Sequence, residues 1–174
     1  MNNAEVFDLI LRYLVLLLLP LGNLFIFYAV FTPLTVQPVF FLLHLLYPQT
    51  QLLENNTILF NGYEAQIISS CVAGAAYYLL CILNLTTPMQ LKKRVLSLLF
   101  LLFSFLFLNI IRIFTFALLF EKGQNFFETA HLFTWYFGST FLVVLVWFVN
   151  VLLFKIREIP IYTDIKNIAS EIKF

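Results

Sequence analysis

Residues 9–31, 67–85, 95–120 and 126–154 form four long, predominantly apolar runs. A helix needs roughly 20 residues, at 1.5 Å each, to cross the hydrocarbon core of a bilayer. Each run is about that length; residues 86–94 and 121–125 make short connections, and 32–66 is a longer one. Only 11% of the 174 residues are charged and 62% are hydrophobic, against roughly 25% and 45–50% for a soluble domain. The composition argues against a soluble globular domain and a disordered tail. The net charge of +1 gives no basic field for a nucleic-acid backbone. The chain reads as one membrane-embedded domain over 1–174, an all-α polytopic helix bundle of about four spans.

The finer segmentation follows from the residues that break the runs. Pro20, Gly22 and Asn23 interrupt 9–31, which predicts one retained, kinked span; Glu5 and Asp8 precede it where a signal peptide would carry basic residues. Residues 34–47 contain Pro38 and end at Pro48, which predicts a re-entrant or interfacial piece. Thr57–Phe60, Asn61-Gly62 and the stretch from Tyr63 onward predict a short extracytoplasmic hairpin. Ile161, Ile165, Ile168 and Ile172 recur at helical spacing and predict an amphipathic cytoplasmic tail over about 158–174.

Lys92, Lys93, Arg94, Lys155, Arg157, Lys166 and Lys173 all fall on one side of this layout, and Lys122 alone on the other. The positive-inside rule assigns the 86–94 loop and the C-terminal segment to the cytoplasm. The 48–66 and 121–130 segments then face outward.

Ionisable residues inside a membrane are costly, so each is a functional candidate. Arg112 stands eight residues before Phe120, about 12 Å along its helix, and Asn109 shares its face. The alternative role for Arg112 is structural, snorkelling outward or pairing with Glu121 or Glu128. His131, with Glu128 and Trp135 on its face, lies near the outer end of the last run; an ordinary interfacial histidine would sit there too. Cys71, about one turn inside its run, could be only a small apolar residue. Cys81, deep and toward the cytoplasmic half, takes that plain reading, and His44, in an apolar run with no obvious polar companion, is not a functional candidate either. Ten residues along one helix, about 15 Å, separate Cys71 from Cys81, too far for a disulfide.

Co-location gives these residues weight. Charges in the loops alone place Cys71, Arg112 and His131 at similar outer depth on three different runs. A thiol, a base and a fixed cation are the equipment of thiol acyl transfer. No His/Cys cluster has metal spacing and no glycine-rich phosphate loop occurs, so no cofactor or metal is expected.

Over roughly Thr57 to Trp147, the chain resembles the exosortase/archaeosortase family, in its compact form. The resemblance rests on Ser69-Ser70-Cys71-Val72-Ala73-Gly74, then Asn109-Ile110-Ile111-Arg112, then Phe127-Glu128-Thr129-Ala130-His131 and Trp135. The family commonly has glycine two residues after the cysteine, where this chain has Ala73. The resemblance implies a catalytic core over about 57–154 in a multi-pass protein of the plasma membrane. Cys71 would be the nucleophile, Arg112 and His131 would complete the site, and Asn109 would support it. The implied activity is a cysteine peptidase or transpeptidase with its site facing outward. Its partners would be membrane-anchored proteins whose C-termini carry a short motif, a transmembrane helix and a basic tail. The rival reading is a non-catalytic membrane subunit, or a small transporter element using Arg112 and His131.

Overall fold

The computed structural model describes residues 3–122, 138–158 and 160. Six α-helices are found among them, α1 (Asn3–Leu18), α2 (Phe25–Leu46), α3 (Ser69–Val72), α4 (Gly74–Leu85), α5 (Leu91–Lys122) and α6 (Ser139–Leu153), with a short 3-10 turn at Glu54–Asn56. Between α2 and α3 lie strands β1 (Gln51–Leu52), β2 (Thr57–Phe60) and β3 (Tyr63–Gln66). The expected tail over 158–174 falls almost wholly outside the described residues.

The first helices differ from the expected kinked span and re-entrant piece. The break falls at residues 19–24, where Gly22, Asn23 and Leu24 all take positive φ (75°, 56° and 60°). Glycine and asparagine enter this left-handed region cheaply, so the chain turns there. Pro33 and Pro38 lie inside one continuous helix, α2. Each proline removes one backbone hydrogen bond, but an apolar setting offers the remaining peptide groups no better partner than the helix itself. Phe27, Phe31, Thr35, Val39 and Leu43, four residues apart, form the buried stripe of α2, and neither proline belongs to it.

Two helical stretches, Phe25–Leu46 and Leu91–Glu121, are long and apolar enough to cross a membrane; Ser69–Leu85 and Ser139–Leu153 are shorter apolar segments. Large apolar side chains such as Phe103, Phe107, Phe141, Phe148 and Leu152 face outward, whereas Asn84, Asn109, Asn150 and Ser97 are fully buried. This is the reverse of a water-soluble surface. Inside, the Asn84 amide donates to Ser97 Oγ (2.8 Å) and the Ser97 hydroxyl to Asn150 Oδ1 (2.9 Å), tying α4, α5 and α6 together. Tyr77 of α4 stacks on Phe31 of α2 with ring centroids 3.7 Å apart.

Polar networks close both ends. At one end Asp8 of α1 bridges Arg94 (3.0 Å) and Arg12 (3.1 Å), and Arg12 also donates to Leu85 O (2.9 Å). Lys93 donates to Lys155 O (3.2 Å), so α1, α4, α5 and α6 all meet at this basic end. Helix α5 begins at Leu91, so Lys92, Lys93 and Arg94 form its first turn rather than a separate loop.

The hairpin lies at the opposite end. Its Asn61-Gly62 turn matches the sequence expectation: Phe60 pairs with Tyr63 across a two-residue loop, with φ of 45° and 81° in the loop. The third strand, β1, was not expected, and it makes the fold a helical bundle with a small antiparallel sheet. Glu121 at the end of α5 accepts hydrogen bonds from the Asn61 amide (2.6 Å) and the Tyr47 hydroxyl, latching the hairpin to both α2 and α5.

The hydrogen bond to Glu121, reinforced by desolvation and by the carboxylate charge, raises the Tyr47 phenol above its ordinary value of 10. The bonded form is the protonated phenol. Its contribution is therefore full below the unfolded-state value near 10 and fades as pH climbs through the raised folded-state value. Carbon-labelled tyrosine NMR, with Tyr47→Phe to assign the signal, should find Tyr47 ionising above 10. Glu121→Leu should bring that ionisation back toward 10.

Candidate active site

From the hairpin the chain runs through Ile67 and Ile68 into the single turn α3, which carries Cys71. The sequence predicts one helix over 67–85. The structure interrupts it at Ala73, which takes a left-handed conformation (φ 61°, ψ 45°) between α3 and α4. That conformation costs an L-residue about 1–2 kcal/mol, and glycine far less. Ala73 is the position where the family resemblance expects glycine.

The interruption leaves helix carbonyls without their usual partners, because the N–H of Ala76 turns back to Ala73 O (2.9 Å). Side chains from α5 repair the gap. The Asn109 amide donates to Cys71 O (3.0 Å) and Val72 O (3.4 Å), and an Arg112 NH2 group donates to Cys71 O (3.2 Å). The three-residue spacing of Asn109 and Arg112 puts both on one face of α5. The other terminal nitrogen of Arg112 donates to Ser139 Oγ at the start of α6 (2.6 Å).

Next to Ala73, the helices touch closely. A Cβ on Gly74 would come within 2.8 Å of Cε1 and Cζ of Tyr28, so a larger residue there requires the Tyr28 ring to shift.

Cys71 and Arg112 line the same cavity, of about 350 Å³. Val39 and Leu43 of α2 and Phe116 and Phe120 of α5 form apolar walls, and β3 with Ile67 and Ile68 forms a third side. The size falls within the range of small-ligand sites, roughly 300–1,000 Å³.

Of the residues singled out from sequence, the structure thus brings Cys71, Arg112 and Asn109 together. Asn109 is fully buried and stands behind Cys71, where it holds backbone rather than lining the cavity. His131 lies outside the described residues. Among the described residues no carboxylate pairs with Arg112, and Glu121, considered as its partner, is engaged by Tyr47 and Asn61. Two of its five N–H donors are accounted for by Ser139 and the Cys71 carbonyl. His44 stacks on Phe40 and Cys81 is buried in the core, as their plain readings anticipate. No cluster able to hold a metal occurs among the described residues.

Sequence reasoning missed Ser139 and the left-handed Ala73. Nothing in the sequence distinguishes Ser139 from other hydroxyls near helix starts. Small residues such as Ala73 and Gly74 suit close helix approach but do not by themselves mark a break. In comparisons with known proteins, no family model, curated protein or solved structure matches this chain.

Ala73→Gly should preserve the fold and raise its stability by up to about 1 kcal/mol, since the strained φ is relieved. Gly74→Ala should destabilise by about 1–3 kcal/mol through the clash with Tyr28. Thermal unfolding in detergent checks both, and Tyr28→Ala should recover much of the Gly74→Ala loss.

Proposed function

We propose that this chain is a multi-pass membrane cysteine peptidase or transpeptidase of the exosortase/archaeosortase type. The observation that carries the reading is the shared cavity. A thiol-bearing turn and a half-buried guanidinium border one apolar space, and the guanidinium is bonded to the cysteine's own carbonyl.

The inverted distribution of polar and apolar side chains supports a bundle of four passages. α1 and α2 would make one broken passage, α3 and α4 a second, and α5 and α6 the others. The basic end, with Lys92, Lys93, Arg94 and Lys155, would face the cytoplasm of the cell under the positive-inside rule. The opposite end, with Glu54, Glu64 and Glu121, and the cavity near it would face outward.

Each residue then has a role. His131 removes the proton from Cys71, and the sulfur attacks a peptide carbonyl of an exported protein whose C-terminal helix lies beside the bundle. Arg112 stabilises the developing oxyanion with its remaining donors. The C–N bond breaks, the leaving amine takes the proton from His131, and an acceptor amine, hydroxyl or water resolves the thioester. Asn109 is a positioning residue, since it bonds to the Cys71 and Val72 carbonyls. The chemistry needs no cofactor.

A second reading has its own observation. Arg112 ties α3, α5 and α6 through Ser139 and the Cys71 carbonyl, which is what a purely structural arginine in a non-catalytic subunit would do. The two readings part on the thiol. Co-expression with an exported protein bearing a motif, a transmembrane helix and a basic tail gives the test, with loss of the tail followed by immunoblot. Cys71→Ser should slow processing on the order of 10³-fold or more while the protein stays inserted. Normal processing by that variant would reject the enzyme reading and favour the structural one.

A further inference from the structure

Strand β3 is an edge strand, last in the order β1-β2-β3. Its pairing with β2 sets which backbone groups remain open. Phe60 faces Tyr63, Ile58 faces Ala65, and the Ile67 N–H donates to Asn56 O (3.1 Å). In an antiparallel pair, bonded and non-bonded positions alternate. Tyr63, Ala65 and Ile67 therefore turn their peptide groups toward β2, and Glu64 and Gln66 turn theirs to the outer edge. Among the described residues, no backbone group pairs with that edge.

The cavity runs along this same strand. Residues 64–68 line it in succession, and it continues to Ser70 and Cys71. The open edge is four residues long, about 13 Å, and leads toward the thiol.

We propose that the cavity receives an extended peptide, added as a fourth strand along the outer edge of β3. The inference rests on the reading of the Cys71 cavity as a substrate site and deepens it. The peptide's backbone bonds with Glu64 and Gln66. Cross-strand neighbours share a face, so the residue opposite Ala65 points to the inner face, which Ile58 and Ala65 share. That face meets the apolar walls formed by Val39, Leu43 and Phe116, so an apolar side chain is selected there. Residues opposite Glu64 and Gln66 point to the outer face, where side chains are exposed, and polar or basic ones are accepted. Recognition is then largely sequence-tolerant, with one parity read by the cavity and the other by main-chain bonds.

Two features favour a peptide over a lipid chain. An acyl chain would leave the edge amides and carbonyls of Glu64 and Gln66 unmet. Glu64 at the rim, with Glu54 and Glu121 at the same end, opposes an anionic headgroup.

The test uses the full chain carrying Cys71→Ala, in nanodiscs, so that binding is read without chemistry. A pool of randomised hexapeptides is selected against it, with empty nanodiscs as the control. Selected peptides are resynthesised with N-methyl groups at odd or at even positions, and their affinities are measured by fluorescence polarisation. The expected result is enrichment of peptides with alternating apolar residues. N-methylation at one parity should weaken binding about tenfold or more, the scale of a lost hydrogen bond, and the other parity should be tolerated. Gln66→Pro, which removes only an outward N–H, should weaken binding to a similar degree, and Gln66→Ala should not. Retention no better than on empty nanodiscs, or equal response to both parities, would overturn the proposal whether or not Gln66→Pro folds. If parity-dependent binders are found but the native chain never cleaves them, the strand site stands and the thiol chemistry falls. If the native chain cleaves peptides that bind without parity dependence, the thiol chemistry stands and the strand site falls.

Discussion

An interrupted helix in apolar surroundings is tolerable only if its stranded carbonyls find donors. A buried peptide group left without a partner costs on the order of several kcal/mol. The left-handed Ala73 creates such an interruption, and Asn109 and Arg112 answer it from α5. The rest of the site follows from that exchange. Without the break, Cys71 would continue the line of α4 as one more small residue in a helix face. With it, Cys71 sits in a separate turn on the border of a cavity, bound to a cation through its own carbonyl.

The bundle is organised to hold that exchange in register. At the basic end Asp8 gathers Arg12 and Arg94, and in the interior Asn84, Ser97 and Asn150 link three helices. The chain of amide and hydroxyl bonds fixes the rotation of α5 relative to α4 and α6. Helix rotation decides whether a residue at position 112 faces outward or toward its neighbours. Glu121, nine positions further along α5, fastens the hairpin, so the strand that borders the cavity is referenced to the same helix as the guanidinium.

Much of this was readable from the amino acids. The Asn61-Gly62 hairpin carries its own turn chemistry, and the long apolar runs of α5 and α6 announce themselves. Loop charges alone put Cys71 and Arg112 at one end. What was hidden depends on tertiary context. The prolines of α2 look like breakers, yet the helix continues through them because an apolar environment leaves the backbone no alternative. Ala73 is hidden for the opposite reason, since alanine is the strongest helix former and nothing local predicts a left-handed alanine. The convergence of Cys71 and Arg112 was a depth argument that could not specify rotation, and the contact with Ser139 depends on rotation alone. His131, the third residue of the sequence reading, lies outside the described residues.

The most direct measurement is the accessibility of the Cys71 thiol from each side of the membrane. Intact cells expressing a Cys81→Ala variant can be treated with a charged, membrane-impermeant maleimide, and Cys71 labelling read by mass. Labelling from the outside, prevented by prior treatment with a small permeant thiol reagent, is expected for a thiol on a cavity that opens away from the basic end. Labelling that occurs only after the cells are permeabilised, or a thiol that stays unmodified under both conditions, would contradict it.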